Sequence, residues 1–180
     1  MNEQVLSNQA FRQMATPFPT NSGKSSYGLG TFTQEFLGQQ LVWGYGQEDC
    51  FSSLLLLLPG EGLSLTLLAN NNLMSDPARL INGDVTYSLF AMRFLKHFLL
   101  DQDDLSSSTL PSDFQRQELL AQALASSFMS QADTVELTRS QDLTRQVLQA
   151  FQDVETYGNL SLMRLLMVLT ESKPEEFGSI

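Results

Sequence analysis

Cys50 and His97 are the only cysteine and the only histidine of the chain, so a thiol–imidazole dyad would need both. Such a dyad works only if the imidazole reaches the sulfur and holds it as a thiolate. Cys50 precedes an apolar run of strand character and His97 lies in a helical stretch, so nothing local pairs them. A single cysteine also excludes an internal disulfide and a thiolate metal cluster. Gly23-Lys24-Ser25 has the closing triplet of a phosphate loop, but Phe18 stands where that loop needs its first glycine. Asp101-Gln-Asp-Asp104 offers carboxylates without the glycine and following glutamate of a calcium loop, so a solvated acidic linker is the simpler account. Trp43 beside Gly44 could wall a pocket, and Arg79 behind Asp76-Pro77 could meet a substrate carboxylate. The commoner fates of such residues are a strand tryptophan in the core and an arginine on a helix surface. No metal or cofactor site is expected from these residues.

The elements that must position any site are those of one domain with an appendage, since the chain has 180 residues. It is 42% hydrophobic and 17% charged, a balance that supports a packed core. Its net charge of −10 argues against a nucleic-acid partner, whose phosphates require Lys and Arg, and against an anionic membrane surface. The apolar run at residues 53–59 is far shorter than the roughly 20 residues of a membrane helix. Residues 1–9 lack the basic start and apolar centre of a secretory leader, so none is expected there.

Along the chain, residues 4–15 read as a short helix, followed by a loop with Pro17, Pro19 and Gly23. Period-two patterning predicts strands over 27–36, 41–43, 51–58 and 63–68, with turns at Gly38 and at Pro59-Gly-Glu-Gly62. The unbroken leucines of 51–58 predict a strand covered on both faces. From Asp76, a fitting N-cap ahead of Pro77, a helical stripe runs to residue 99, with a possible break near Gly83. A serine-rich acidic linker at 101–111 then leads to amphipathic segments at 115–129, 143–154 and 160–169. The reading is an α+β fold: an antiparallel sheet with a helix packed on it in residues 1–100, the linker, and a helical appendage in 112–180.

Five motifs stand in order within this plan: Tyr27-Gly-Leu-Gly30, Leu41-Val-Trp-Gly-Tyr-Gly-Gln47, Phe51-Ser-Ser-Leu54, Pro59-Gly-Glu-Gly62 and Leu67-Leu-Ala-Asn70. Their order resembles the last strands of the β-lactamase-like, penicillin-recognising serine hydrolases, which include class C β-lactamases, D-alanyl-D-alanine carboxypeptidases and related esterases. The family's Lys/His-Thr/Ser-Gly triad begins seven residues before an aromatic residue and fifteen before a turn proline. Gly44 stands in both relations, to Phe51 and to Pro59. The resemblance covers about the first 100 residues.

The resemblance implies that Gly44 takes the Lys/His place, Tyr45 the Thr/Ser place and Gly46 the glycine. Gln47 falls where a backbone N–H helps to form the oxyanion hole. A neighbouring register puts Tyr45 on the Lys/His place, because some relatives carry an extra residue here. Two positions depart from the pattern: the cation is missing at Gly44, and Cys50 stands where a glycine is usual. The family's nucleophile and base come from Ser-x-x-Lys. The three lysines, Lys24, Lys96 and Lys173, follow Asn21, Arg93 and Thr170 at that spacing, so the pair is absent. The expected function is therefore that of a serine hydrolase region without the catalytic pair, inactive alone. The alternative is a non-catalytic module that binds a peptide or partner chain in the residual groove or on the helical tail. A partner chain, a second copy or the tail helices are expected to cover the remaining sheet face. The family is often extracytoplasmic, but the residues themselves assign no compartment.

Overall fold

The computed structural model describes residues 5–20, 23–24, 26–72, 74–75, 78, 80–100, 112–129, 134–151, 156–157 and 160–161. Helix α1 spans Asn8–Met14, starting where Ser7 Oγ accepts the Ala10 N–H at 3.1 Å and so satisfies one free donor of the first turn. Short strands β1 (Pro19–Thr20) and β2 (Gly23–Lys24) pair antiparallel. Then β3 (Phe32–Phe36), β4 (Gln39–Gln47), β5 (Ser52–Leu58) and β6 (Leu63–Ala69) form a four-stranded antiparallel meander in sequence order. The expected α+β class and antiparallel sheet are present, and β4 proves longer than its apolar centre at 41–43.

Turn chemistry sets these strands. Leu37 and Gly38 join β3 to β4 with φ of 50° and 74°. Two consecutive positive values give the turn whose twist matches a right-twisted hairpin. Pro59 to Gly62 joins β5 to β6 as expected, with Leu58 paired to Leu63. One sheet face holds Leu41, Trp43, Leu54, Leu56 and Leu58, all buried. The other is covered only in part, contrary to the expectation for the leucine run: Leu55 is 42% exposed. Its cross-strand neighbour there is Gly44, above which a Cβ would meet no atom within 4 Å. Continuous leucine therefore does not mean burial on both sides here.

The end of α1 docks on that second face through main-chain carbonyls. Met14 O accepts from Leu29 N at 3.0 Å and from Thr31 Oγ1 at 3.1 Å, and Ala15 O accepts from Thr33 Oγ1 at 2.8 Å. Gly28 makes this approach possible. A Cβ on it would lie 2.4 Å from Met14 O and 2.9 Å from Thr16 O, both backbone atoms with little room to yield.

By its contacts the chain divides into two units, Met1–Asp76 with Leu80–Gly83, and Pro77–Arg79 with Asp84–Ile180. In place of one helix from Asp76, there are 3₁₀ turns at Leu80–Asn82 and Val85–Tyr87 and a helix α2 at Leu89–Leu99. The expected break falls at Gly83, where φ is 80°. Ser88 caps α2 by accepting from Ala91 N at 3.4 Å. In the second unit, α3 (Ser112–Met129) meets α2 through Lys96 Nζ, which donates to both carboxylate oxygens of the buried Glu118 at 3.0 and 3.2 Å. Helix α4 spans Thr134–Ala150, beginning well before the apolar positions that mark it in sequence. Strands β7 (Thr156–Tyr157) and β8 (Leu160–Ser161) pair antiparallel, so the third amphipathic segment opens as a strand and not as a helix. Asp76, Pro77, Arg79, the linker at 101–111 and residues 162–169 lie outside the described residues.

Two glycines give a paired test. Gly28→Ala forces a backbone shift and is expected to lower the unfolding free energy by about 1–3 kcal/mol. Gly44→Ala enters open space and should change it by less than about 0.5 kcal/mol. Equilibrium urea unfolding of both variants measures the difference.

Candidate functional site

The four residues singled out on β4 separate by strand alternation. Tyr45 and Gln47 fall on the Trp43 face, and Gly44 and Gly46 on the face of Leu55. Tyr45 closes an aromatic ladder. Phe32 stacks on Trp43 with centroids 4.3 Å apart, Tyr45 lies 6.1 Å from Phe32 and 6.2 Å from Trp43, and Tyr27 meets Phe32 edge-on at 4.7 Å. Trp43 is wholly buried, and its Nε1–H has no hydrogen-bond partner among the described residues. It is thus a core residue first. Aromatic residues at alternate positions 43 and 45 are a signal for this ladder that can be read in the sequence.

Main-chain direction follows from the next turn. Glu48 and Phe51 exchange N–H···O=C bonds at 2.8 and 3.4 Å. Antiparallel pairs alternate between bonded and non-bonded. Gly46–Ser53 and Gly44–Leu55 are therefore bonded pairs, and the N–H and C=O of Tyr45 and Gln47 point away from β5. On that side β3 begins only opposite Trp43, at Phe32. Among the described residues no main-chain group bonds Tyr45 or Gln47 there. An interior strand thus ends in an open flank with two donors and two acceptors, about 7 Å apart along the chain.

This flank can take an oxyanion or an extended main chain, but among the described residues no activated nucleophile stands with it. Ser52 Oγ is committed: it donates to Asn71 O at 2.6 Å and accepts from Met74 N at 3.1 Å, so it tethers the loop after β6. Cys50 is exposed in the Glu48–Phe51 turn, and His97, also exposed, packs edge-on against Phe98 on α2. Among the described residues no three His, Cys, Asp or Glu side chains gather as a metal site, and no helix is long and apolar enough to cross a membrane. No family model, curated protein or solved structure matches the chain.

Burial first, and then the neighbouring Tyr27, push the Tyr45 hydroxyl above the ordinary phenol pKa. The folded state holds this proton more tightly than the unfolded chain, so stability is intact below the unfolded value and falls as pH rises through the folded one. Urea midpoints measured from about pH 8 to about pH 11 should decline, and Tyr45→Phe should remove part of that decline.

Proposed function

We propose that the chain is the sheet region of a β-lactamase-like serine hydrolase, and that residues 44–47 present main-chain donors to an acyl oxygen or an extended peptide. Without Ser-x-x-Lys it has no activated serine, and an oxyanion site alone has nothing to attack with. The motif order from Tyr27 to Asn70 supports the family reading. The observation that carries the site is the open flank of β4, where the Tyr45 and Gln47 N–H groups face outward with no described strand opposite. Gly44 leaves this stretch without a cation, so a ligand carboxylate gains no ion pair from that position.

The same flank also favours a second reading, a non-catalytic module that takes up a peptide as an added strand. Edge addition draws its affinity from main-chain hydrogen bonds, which need no catalytic residue.

The 180-residue chain is expected neither to hydrolyse nitrocefin nor to gain mass on incubation with benzylpenicillin. An acylated serine in the mass spectrum would overturn the claim of inactivity. An N-acyl-D-alanyl-D-alanine peptide should shift the amide resonances of Tyr45 and Gln47. Gln47→Pro, which removes an outward donor without breaking a bond to β5, should abolish the effect. Shifts confined to other strands would refute the site.

A further inference from the structure

The end of the sheet where β4, β5 and β6 finish together carries an open hollow of about 340 Å³. It shares Gln47 with the β4 flank, but its floor lies toward β5 and β6 and not on the β3 side. Register builds it: Gly46, Ser53 and Leu68 form one row across the three strands, all on the face away from Trp43. The Glu48–Phe51 pair forms the next row outward. Gly46 supplies no side chain and Ser53 a small one, so the middle of the row is a floor. The residues beside it are large and apolar, yet they stand in water: Leu68 is 82% exposed and Phe51 60% exposed. A Cβ on Gly46 would come within 2.8 Å of Ser53 Oγ, so a side chain there would displace that hydroxyl and narrow the floor.

Glu48 is the one charged residue that lines the hollow. Glu48 forms no ion pair among the described residues, Asp49 follows it in the turn, and none of the nine lining residues is a cation. Ser53 Oγ likewise has no hydrogen-bond partner among the described residues. The Glu48 carboxylate favours a cation over an anion, and one carboxylate does not make a metal site. The volume lies at the small end of ligand pockets, which run from about 300 to 1,000 Å³, and it admits one ring.

We propose that this hollow binds a small primary amine bearing a single aromatic ring, an arylalkylammonium ion. The ring lies over the Gly46–Ser53 floor and packs against Phe51 and Leu68. The ammonium group donates to the Glu48 carboxylate, and a second N–H reaches Ser53 Oγ. Leaving water for the slot drives the apolar part, and the charge-assisted bond sets the preference for an amine.

The test is a titration of the full chain with 2-phenylethylamine and, in parallel, with neutral 2-phenylethanol, followed by amide resonances. The amine should shift Gly46, Ser53 and Leu68, and should bind about tenfold more tightly than the alcohol. Glu48→Gln should weaken the amine by about the same factor and leave the alcohol unchanged. Leu68→Lys, at a position already in solvent, should weaken both, with circular dichroism reporting an intact fold. Equal binding of amine and alcohol overturns the proposal. So does full affinity in Glu48→Gln, which would assign the attraction to the overall charge of −10. Shifts at Tyr45 and Gln47 alone would place the amine on the β4 flank and overturn it as well.

Discussion

The exchange of hydrogen bonds between Glu48 and Phe51 fixes the register of β4 on β5, and most of the first unit's chemistry depends on that register. Side chains alternate with a period of two, so a slip of one residue would carry every one of them to the opposite face. In the observed register Trp43 and Tyr45 join Leu54 and Leu56 on the buried side, and both glycines of β4 go to the other. The same parity turns the amides of Tyr45 and Gln47 away from β5. One turn of two residues thus decides what is packed, what is open and where donors point.

The sheet is held to α1 by a different device. Carbonyl oxygens at a helix end normally lack intrahelical partners and must find donors elsewhere. Here Met14 and Ala15 find them on Leu29, Thr31 and Thr33, and Gly28 allows the backbones to come close enough. This gives a physical reason for one glycine of the Tyr27-Gly-Leu-Gly30 motif. In the second unit the corresponding specific contact is ionic. Glu118 is almost fully buried, and Lys96 supplies the charge that makes its burial tolerable. Removing either partner would leave the other stranded at greater expense than the pair itself contributes.

Much of this architecture was legible in the residues. Alternation found β5 and β6 to within one position and the end of β3, whose start it placed five residues early, and Pro59 to Gly62 announced its turn. What was not legible has physical causes. The leucines of β5 say nothing about what lies above them, so the exposure of Leu55 depended on Gly44 across the strand pair. Helix α2 starts from its Ser88 cap, after a left-handed Gly83 that interrupts the helical pattern. The Lys96–Glu118 pair spans 22 positions, and no local period reports a contact that distant. At the candidate site, residues 44–47 could be named from spacing. That Tyr45 and Gln47 face outward needed the pairing phase of the neighbouring strands.

Trp43 is the chain's single tryptophan, and it sits at zero exposure with its ring against Phe32. Its ultraviolet emission is therefore that of an indole shielded from solvent dipoles, and Tyr45, close by, is placed to pass excitation to it. Because Trp43 belongs to the sheet unit alone, emission colour is a private gauge of that unit. A red shift records the opening of the strands. Far-ultraviolet ellipticity, dominated by α2, α3 and α4, follows the helices of the second unit. Two optical channels in one unlabelled sample thus distinguish concerted melting from separate melting of the two halves.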